Sequence, residues 1–94
     1  MPTFITRVEL HNANATDYQN LHEYMAAEGF TRAITGDNGV VYMLPSAEYS
    51  WVGVANAQNI RMKAANAARR TVRQFAILTT EANNISWEGL TPVS

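Results

Sequence analysis

Residues Thr3 to His11 change character at every step, and this alternation constrains the fold more than any other stretch of the chain. Phe4, Thr6, Val8 and Leu10 fall on one side, and Ile5, Arg7, Glu9 and His11 on the other. A period of two with β-branched residues predicts a strand with one face buried and one open to water. Such a strand needs neighbouring strands and a layer that covers its apolar face. The following residues offer that layer. Thr16 followed by Gln19 has the capping-box pattern, so a helix is expected to start at Thr16. Tyr18, Leu21, Met25 and Ala26 form its apolar stripe, Gly29 supplies a left-handed stop, and Phe30 packs back behind it.

Phe30 to Thr35 reads as a second strand and Val40 to Leu44 as a third, joined by the turn residues Gly36-Asp37-Asn38-Gly39 into a hairpin. Pro45 interrupts the third strand, which is expected to resume from Glu48 to Val54 with a bulge or at an edge. Asn56 caps a second helix that should run to about Val72, with Ala57, Ile60, Ala64, Ala67 and Thr71 on one face. Contacts that small bring a helix close to its sheet. Phe75 to Glu81 is a fourth strand, Asn83-Asn84 turns the chain, and Ile85 to Leu90 returns as a short fifth strand before a frayed end. The order β-α-β-β-α-β, plus the short C-terminal strand, predicts an α+β fold of the ferredoxin-like, split βαβ kind. In it an antiparallel sheet carries both helices on one face. No repeat, linker or low-complexity run divides the chain, so residues 1–94 are expected to form a single domain.

Composition narrows the function classes. The apolar fraction is 47%, but fourteen of those residues are alanine, which leaves few large side chains for the core. There is no cysteine, hence no disulfide framework and no thiolate metal site. No stretch approaches the ~20 apolar residues of a membrane span. Met1-Pro2-Thr3-Phe4 has no basic region leading into an apolar one, so a cytoplasmic protein without a membrane partner is expected.

The net charge of −1 looks neutral only as an average. Arg61, Lys63, Arg69, Arg70 and Arg73 lie together, and no acidic residue occurs between positions 49 and 80. That window carries +5 and the remainder −6. On a helix, at ~100° per residue, Lys63, Arg69, Arg70 and Arg73 share one arc with Met62 and Asn66, roughly 180° to 300° away from Ile60. Three readings fit this face: a solvated surface, a stripe that contacts RNA phosphates, or a docking site for an acidic protein surface.

Candidate chemistry is sparse. His11 ends the first strand beside Arg7 and Glu9, and His22 lies one turn after Tyr18 on the first helix. Histidine is the natural proton carrier near neutral pH. No HxxxH, DxD or ExxH spacing appears, the five glycines are dispersed, and there is no nucleophile elbow. Neither a metal site nor a cofactor is expected. Tyr49 and Trp51 alternate on one face of the resumed third strand, where a helix-free sheet face offers stacking platforms for single-stranded RNA. The aromatics serve equally well as core or as the seam of a homodimer closed through the last strands.

Several segments carry a family resemblance. Phe4-Ile5-Thr6-Arg7-Val8-Glu9-Leu10-His11, Asp17-Tyr18, Leu21-His22, Met25 and Gly29-Phe30 resemble the GhoS-like family of small bacterial and prophage proteins, the endoribonuclease antitoxins of type V toxin–antitoxin systems. The similarity continues through Gly39, Tyr42, Leu44-Pro45, Ala47-Glu48-Tyr49, Phe75 to Glu81 and Trp87-Glu88-Gly89-Leu90. It implies a ferredoxin-like protein, similar in shape to small CRISPR-associated nucleases, that cleaves a toxin messenger RNA. The better-known branch of the family has a functional arginine on the first helix, and His22 falls at that position. Where the CRISPR-associated relatives place a metal-binding aspartate after the first strand, this chain has His11-Asn12. Metal-dependent cleavage by that route is therefore not expected. Related sequences have Thr-Gly-Lys where this one has Thr71-Val72-Arg73, so a helix-ending glycine is missing.

The first functional reading is an RNA-binding antitoxin with metal-independent endoribonuclease activity. His22 or His11 would move the proton and Arg7 or Arg32 would stabilise the phosphorane-like charge. Phosphates would lie along Arg61, Lys63, Arg69, Arg70 and Arg73, and bases near Tyr49 or Trp51. The second reading is a non-enzymatic phage or prophage protein that inhibits a host nuclease or defence complex.

Overall fold

The structure, a computed structural model, describes residues 1–93. Along the chain it contains β1 (Thr3–Leu10), α1 (Ala15–Ala27), β2 (Ala33–Thr35), β3 (Val41–Met43), β4 (Glu48–Val52), α2 (Ala57–Arg69) and β5 (Phe75–Ala82). β1 is central, with β4 and β5 antiparallel on either side. β2 and β3 form a separate antiparallel hairpin. Thr31 joins it to the main sheet through an isolated bridge to Ser50, with backbone hydrogen bonds of 2.9 and 2.8 Å in the two directions. The chain segment leading into β2 thus lies outside β4. This gives the strand order and helix placement of the expected ferredoxin-like split βαβ fold.

The alternation in β1 does what the sequence requires. Phe4, Thr6, Val8 and Leu10 are buried beneath the helices, whereas Arg7 and Glu9 are exposed. Thr6, the one polar residue in that row, pairs its hydroxyl with Thr79 across the β1–β5 ladder at 2.9 Å. A buried polar group satisfied in this way carries little penalty. Leu21 and Met25 of α1 and Ile60, Ala64, Ala67 and Ala68 of α2 complete the core with Phe30 and Tyr49. The alanine face of α2 lets its backbone approach the sheet, so a core poor in large side chains still closes.

Local chemistry moves several boundaries. α1 is capped by Asn14 rather than Thr16: Asn14 Oδ1 accepts from Asp17 N, and Asp17 Oδ2 accepts from Asn14 N. Asn with a carboxylate at N3 makes a complete capping box, which places Thr16 inside the first turn. Ala26, assigned to the apolar stripe, is exposed. Gly29 (φ 94°) ends α1 as expected, with Phe30 N donating to Met25 O at 3.1 Å. α2 stops at Arg69, short of Val72. Pro45 does more than create a bulge. The chain turns at Pro45–Ala47, with Ala47 at φ 67°, and β4 enters a different sheet from β3.

Ile85 to Leu90 does not form the expected strand. Instead the Trp87 ring packs edge-on against Tyr42, with centroids 5.5 Å apart. The following residues take the place beside β3, where Met43 N donates to Thr91 O and Val93 N to Val41 O. The frayed end is therefore not seen through Val93, and Ser94 lies outside the described residues. Among the described residues no helix is long and apolar enough to cross a membrane.

Candidate functional site

β4 begins at Glu48, opposite Arg7, so β1 runs on past its neighbour. In the space beyond, the Pro45–Ala47 turn closes against β1 through Val8 N donating to Ala47 O at 3.0 Å. The left-handed backbone at Ala47 is part of this turn. From the helix side α1 presents Tyr18 and His22, one turn apart on the stripe that faces the sheet. The Tyr18 hydroxyl is anchored by Leu10 N at 2.9 Å. Arg32, just before β2, closes the remaining side. Arg7, Glu9, Tyr18, His22, Arg32 and Ser46 line a cleft of about 380 Å³, and the period of β1 turns the Arg7 and Glu9 side chains to the sheet face opposite the helices.

His22 is the fixed point of this cleft. Its Nδ1 lies 2.6 Å from the Tyr49 hydroxyl, and the two rings are tilted 54° with centroids 5.7 Å apart. Tyr49 is fully buried and is held on its other side by an edge-on contact with Phe30. Burial lowers the His22 pKa from its ordinary value, and the nearby Arg32 guanidinium acts in the same direction. Burial pushes the Tyr49 phenol up to about 12, with Arg32 opposing and Tyr18 adding a little. Near neutral pH the pair is an uncharged imidazole and an un-ionised phenol.

Three of the four residues assigned to catalysis from sequence, Arg7, His22 and Arg32, line this cleft. His11 does not line it. Its Nε2 lies 3.7 Å from Glu9 Oε1. Glu9 was not singled out from the sequence, yet it lines the cleft. The available signal was the strand period, which puts Arg7, Glu9 and His11 on one face.

Of the basic residues, Arg61, Lys63 and Arg69 lie on α2, Arg70 is its cap, and Arg73 follows the left-handed Val72, beyond the helix on which the arc was drawn. Arg61, Arg69, Arg70 and Arg73 are exposed and Lys63 is half-buried. Arg70 lies over the Tyr24 ring at 4.1 Å, and Arg73 Nε donates to Asp17 Oδ2 at 3.0 Å. The second contact ties the end of the basic face to the first turn of α1, one residue before Tyr18. Arg61 and Lys63 form no ion pair among the described residues.

The stacking platform requires correction. Register pairs Tyr49 with Thr6 and Trp51 with Phe4, so both aromatics point to the helix-covered face of the sheet. Tyr49 has no exposed surface for a base. Trp51 is half-buried, edge-on to Phe4 at 6.1 Å, and lies under Gly29 and Gly53. The parity of β4 was read correctly, but only pairing with β1 decides which face is covered.

A larger cleft of about 830 Å³ opens beside the β2–β3 hairpin, between Thr3, Ser50, Asn83 and Trp87. Its only ionisable side chain is Asp37, and it contains no histidine, lysine or arginine, so it lacks the cations that a phosphate ester calls for. The smaller cleft has them. Among the described residues no three histidine, aspartate or glutamate side chains converge as a metal ion would require.

Comparison with curated proteins finds no match. The family model described as Endoribonuclease GhoS, in contrast, matches residues 1–86 of the 94. That span runs from β1 through the end of β5 and includes every residue of the His22 cleft. By this match the chain belongs to the endoribonuclease GhoS family, whose members are endoribonuclease antitoxins.

Proposed function

We propose that this protein is an antitoxin that cleaves a toxin messenger RNA with its own side chains, at the cleft around His22. The observation that carries this reading is that His22, Arg32 and Arg7 line one concavity, with the Arg32 charge close enough to act on His22. An imidazole and two guanidiniums suit transesterification of RNA. In that reaction a 2′-hydroxyl loses its proton and its oxygen bonds to the adjacent phosphorus. The bond to the 5′-oxygen then breaks, leaving a 2′,3′-cyclic phosphate and a 5′-hydroxyl. Negative charge grows on the phosphoryl oxygens along this path, and Arg32 or Arg7 would offset it. His22, which lines the cleft, or His11 would move the proton. The basic arc of α2, linked to α1 by Arg73 and Asp17, would hold the flanking phosphates.

Purified protein incubated with labelled RNA in EDTA should yield fragments ending in a cyclic phosphate. His22→Ala should abolish them, and Arg7→Ala, Arg32→Ala and His11→Ala should slow their appearance. RNA that stays intact across varied sequences would overturn the assignment. The family match lends no support to a protein that inhibits a host nuclease.

A further inference from the structure

We propose, resting on the RNA reading above, that the larger cleft beside the β2–β3 hairpin is a nucleobase subsite, in which the base next to the cleaved phosphate stacks on Trp87 and is read by the amides of Asn83 and Asn84. The argument starts with the chemistry of the lining. The cleft measures about 830 Å³, room for a base and its ribose, and Asp37 is its only charged side chain. Such a lining turns away a phosphate and suits an uncharged planar group with polar edges. Asn83, Asn84, Ser86 and Thr35 are exposed and bring amides and hydroxyls to it. The hydroxyls of Thr31 and Ser50 are already spent, since they bond to each other at 2.9 Å and Ser50 Oγ donates to Ala33 O at 2.6 Å. Trp87 supplies the aromatic surface. Tyr42 meets its ring edge-on at 5.5 Å between centroids, and a Cβ on Gly36 would lie 3.3 Å from it. Neither Tyr42 nor Gly36 lines the cleft, so both hold the indole from the side away from it.

Strand register places this cleft on the sheet face that carries no helix. Phe4, Thr6 and Val8 point to the helices, so Thr3, Ile5 and Arg7 face the other way. Thr3 pairs with Val52 and Ala82, and Ile5 pairs with Ser50. Thr3, Val52, Ala82 and Ser50 all line the cleft. Arg7 comes next along that face, two residues past Ile5, or about 7 Å at the rise of a strand. That step is comparable with one nucleotide of an extended single strand. On the other wall Thr31 and Ala33 line the larger cleft, and Arg32 between them lines the smaller one. A strand whose scissile phosphate lies at Arg7 and Arg32 thus has a neighbouring base at the mouth of the larger cleft. The stacking surface expected at Tyr49 and Trp51 is then supplied on the open face by Trp87, from the C-terminal segment.

Binding is read with short single-stranded RNA carrying 2′-fluoro groups in place of its 2′-hydroxyls, which cannot undergo transesterification. Tryptophan emission of the wild-type protein should fall as this RNA binds. Trp87→Phe keeps an aromatic ring and leaves the half-buried Trp51 as the sole indole, so it should bind without the fall. Trp87→Ala, with folding checked by circular dichroism, should weaken affinity about 10-fold. Oligonucleotides of each single base should bind the wild type unequally, and Asn83→Ala/Asn84→Ala should bring their affinities together. Emission that stays constant while RNA binds, or a folded Trp87→Ala variant as tight as wild type, would overturn the stacking role. Base preferences that persist in the double variant would overturn the role of the amides. Natural RNA that quenches Trp87 and stays intact would overturn the cleavage reading and leave the subsite standing. Cleavage at wild-type positions by a Trp87→Ala variant of undiminished affinity would do the reverse.

Discussion

Val72 occupies a backbone conformation that L-residues avoid, and it does so for want of a glycine. It lies two residues past the Arg70 cap of α2 at φ 57°, with its side chain 91% exposed. A β-branched residue in the left-handed region is costly, and exposure means that no packing offsets the cost. The missing helix-ending glycine noted in the sequence is therefore a site of backbone strain. Val72→Gly is expected to stabilise the fold by about 1 kcal/mol, read as a higher urea midpoint at unchanged slope. Gly53 gives the opposite sign. A Cβ there would meet the Trp51 ring at 2.7 and 2.8 Å, so Gly53→Ala should destabilise by about 2 kcal/mol in the same titration. Both substitutions concern one methyl group or a few carbons, and the difference lies in what stands opposite.

At the scale of elements, legibility followed the strength of the local pattern. β1 was readable because one face is buried along its length, so each side chain reports its side. The buried face of α2 was readable for the same reason, with Ile60, Ala64 and Ala67 recurring at helical spacing. The break at Pro45 and the fate of Ile85 to Leu90 were not readable, because both depend on which strand edge is vacant nearby. The opposite face of α2 leads to a prediction about binding. Arg70 and Arg73 already engage Tyr24 and Asp17, so Arg61 and Arg69 are the freer exposed cations. If they contact phosphates, Arg61→Ala and Arg69→Ala should each weaken RNA binding. Each should also reduce the slope of log affinity against log salt by ~0.7 for a single strand. An unchanged slope would make the arc a solvated face.

For the whole molecule, the cleft and the core share a wall, so proton uptake in one is felt by the other. Tyr49 belongs to the core, His22 bridges it to the cleft, and the folded state depresses the His22 pKa. An unfolded chain has His22 at about 6.5. The folded state therefore binds the proton less readily, and its stability is complete above that value. It is lost progressively as pH falls from there through the lower folded value. Urea midpoints should decline on acidification across this window, and His22→Gln should remove part of the decline. The groups surrounding His22, namely Arg7, Glu9, Tyr18, Arg32 and Tyr49, remain in place in that variant.

The sequence alone determined the order of the helices and strands apart from the break at Pro45 and the C-terminal segment, the buried face of β1, the alanine seam of α2 and the segregation of charge. Each of these is a local regularity, set by the period of two in a strand or of 3.6 in a helix. It also brought forward Arg7, His22 and Arg32, though on three separate segments with no stated distance between them. Tertiary structure decided that the three line one cleft together with Glu9, and that His11 does not line it. It also turned Tyr49 from a surface platform into the buried partner of His22. The reason is physical: a strand's parity says which residues share a face, but only the partner strands and the helices laid across them decide which face is covered.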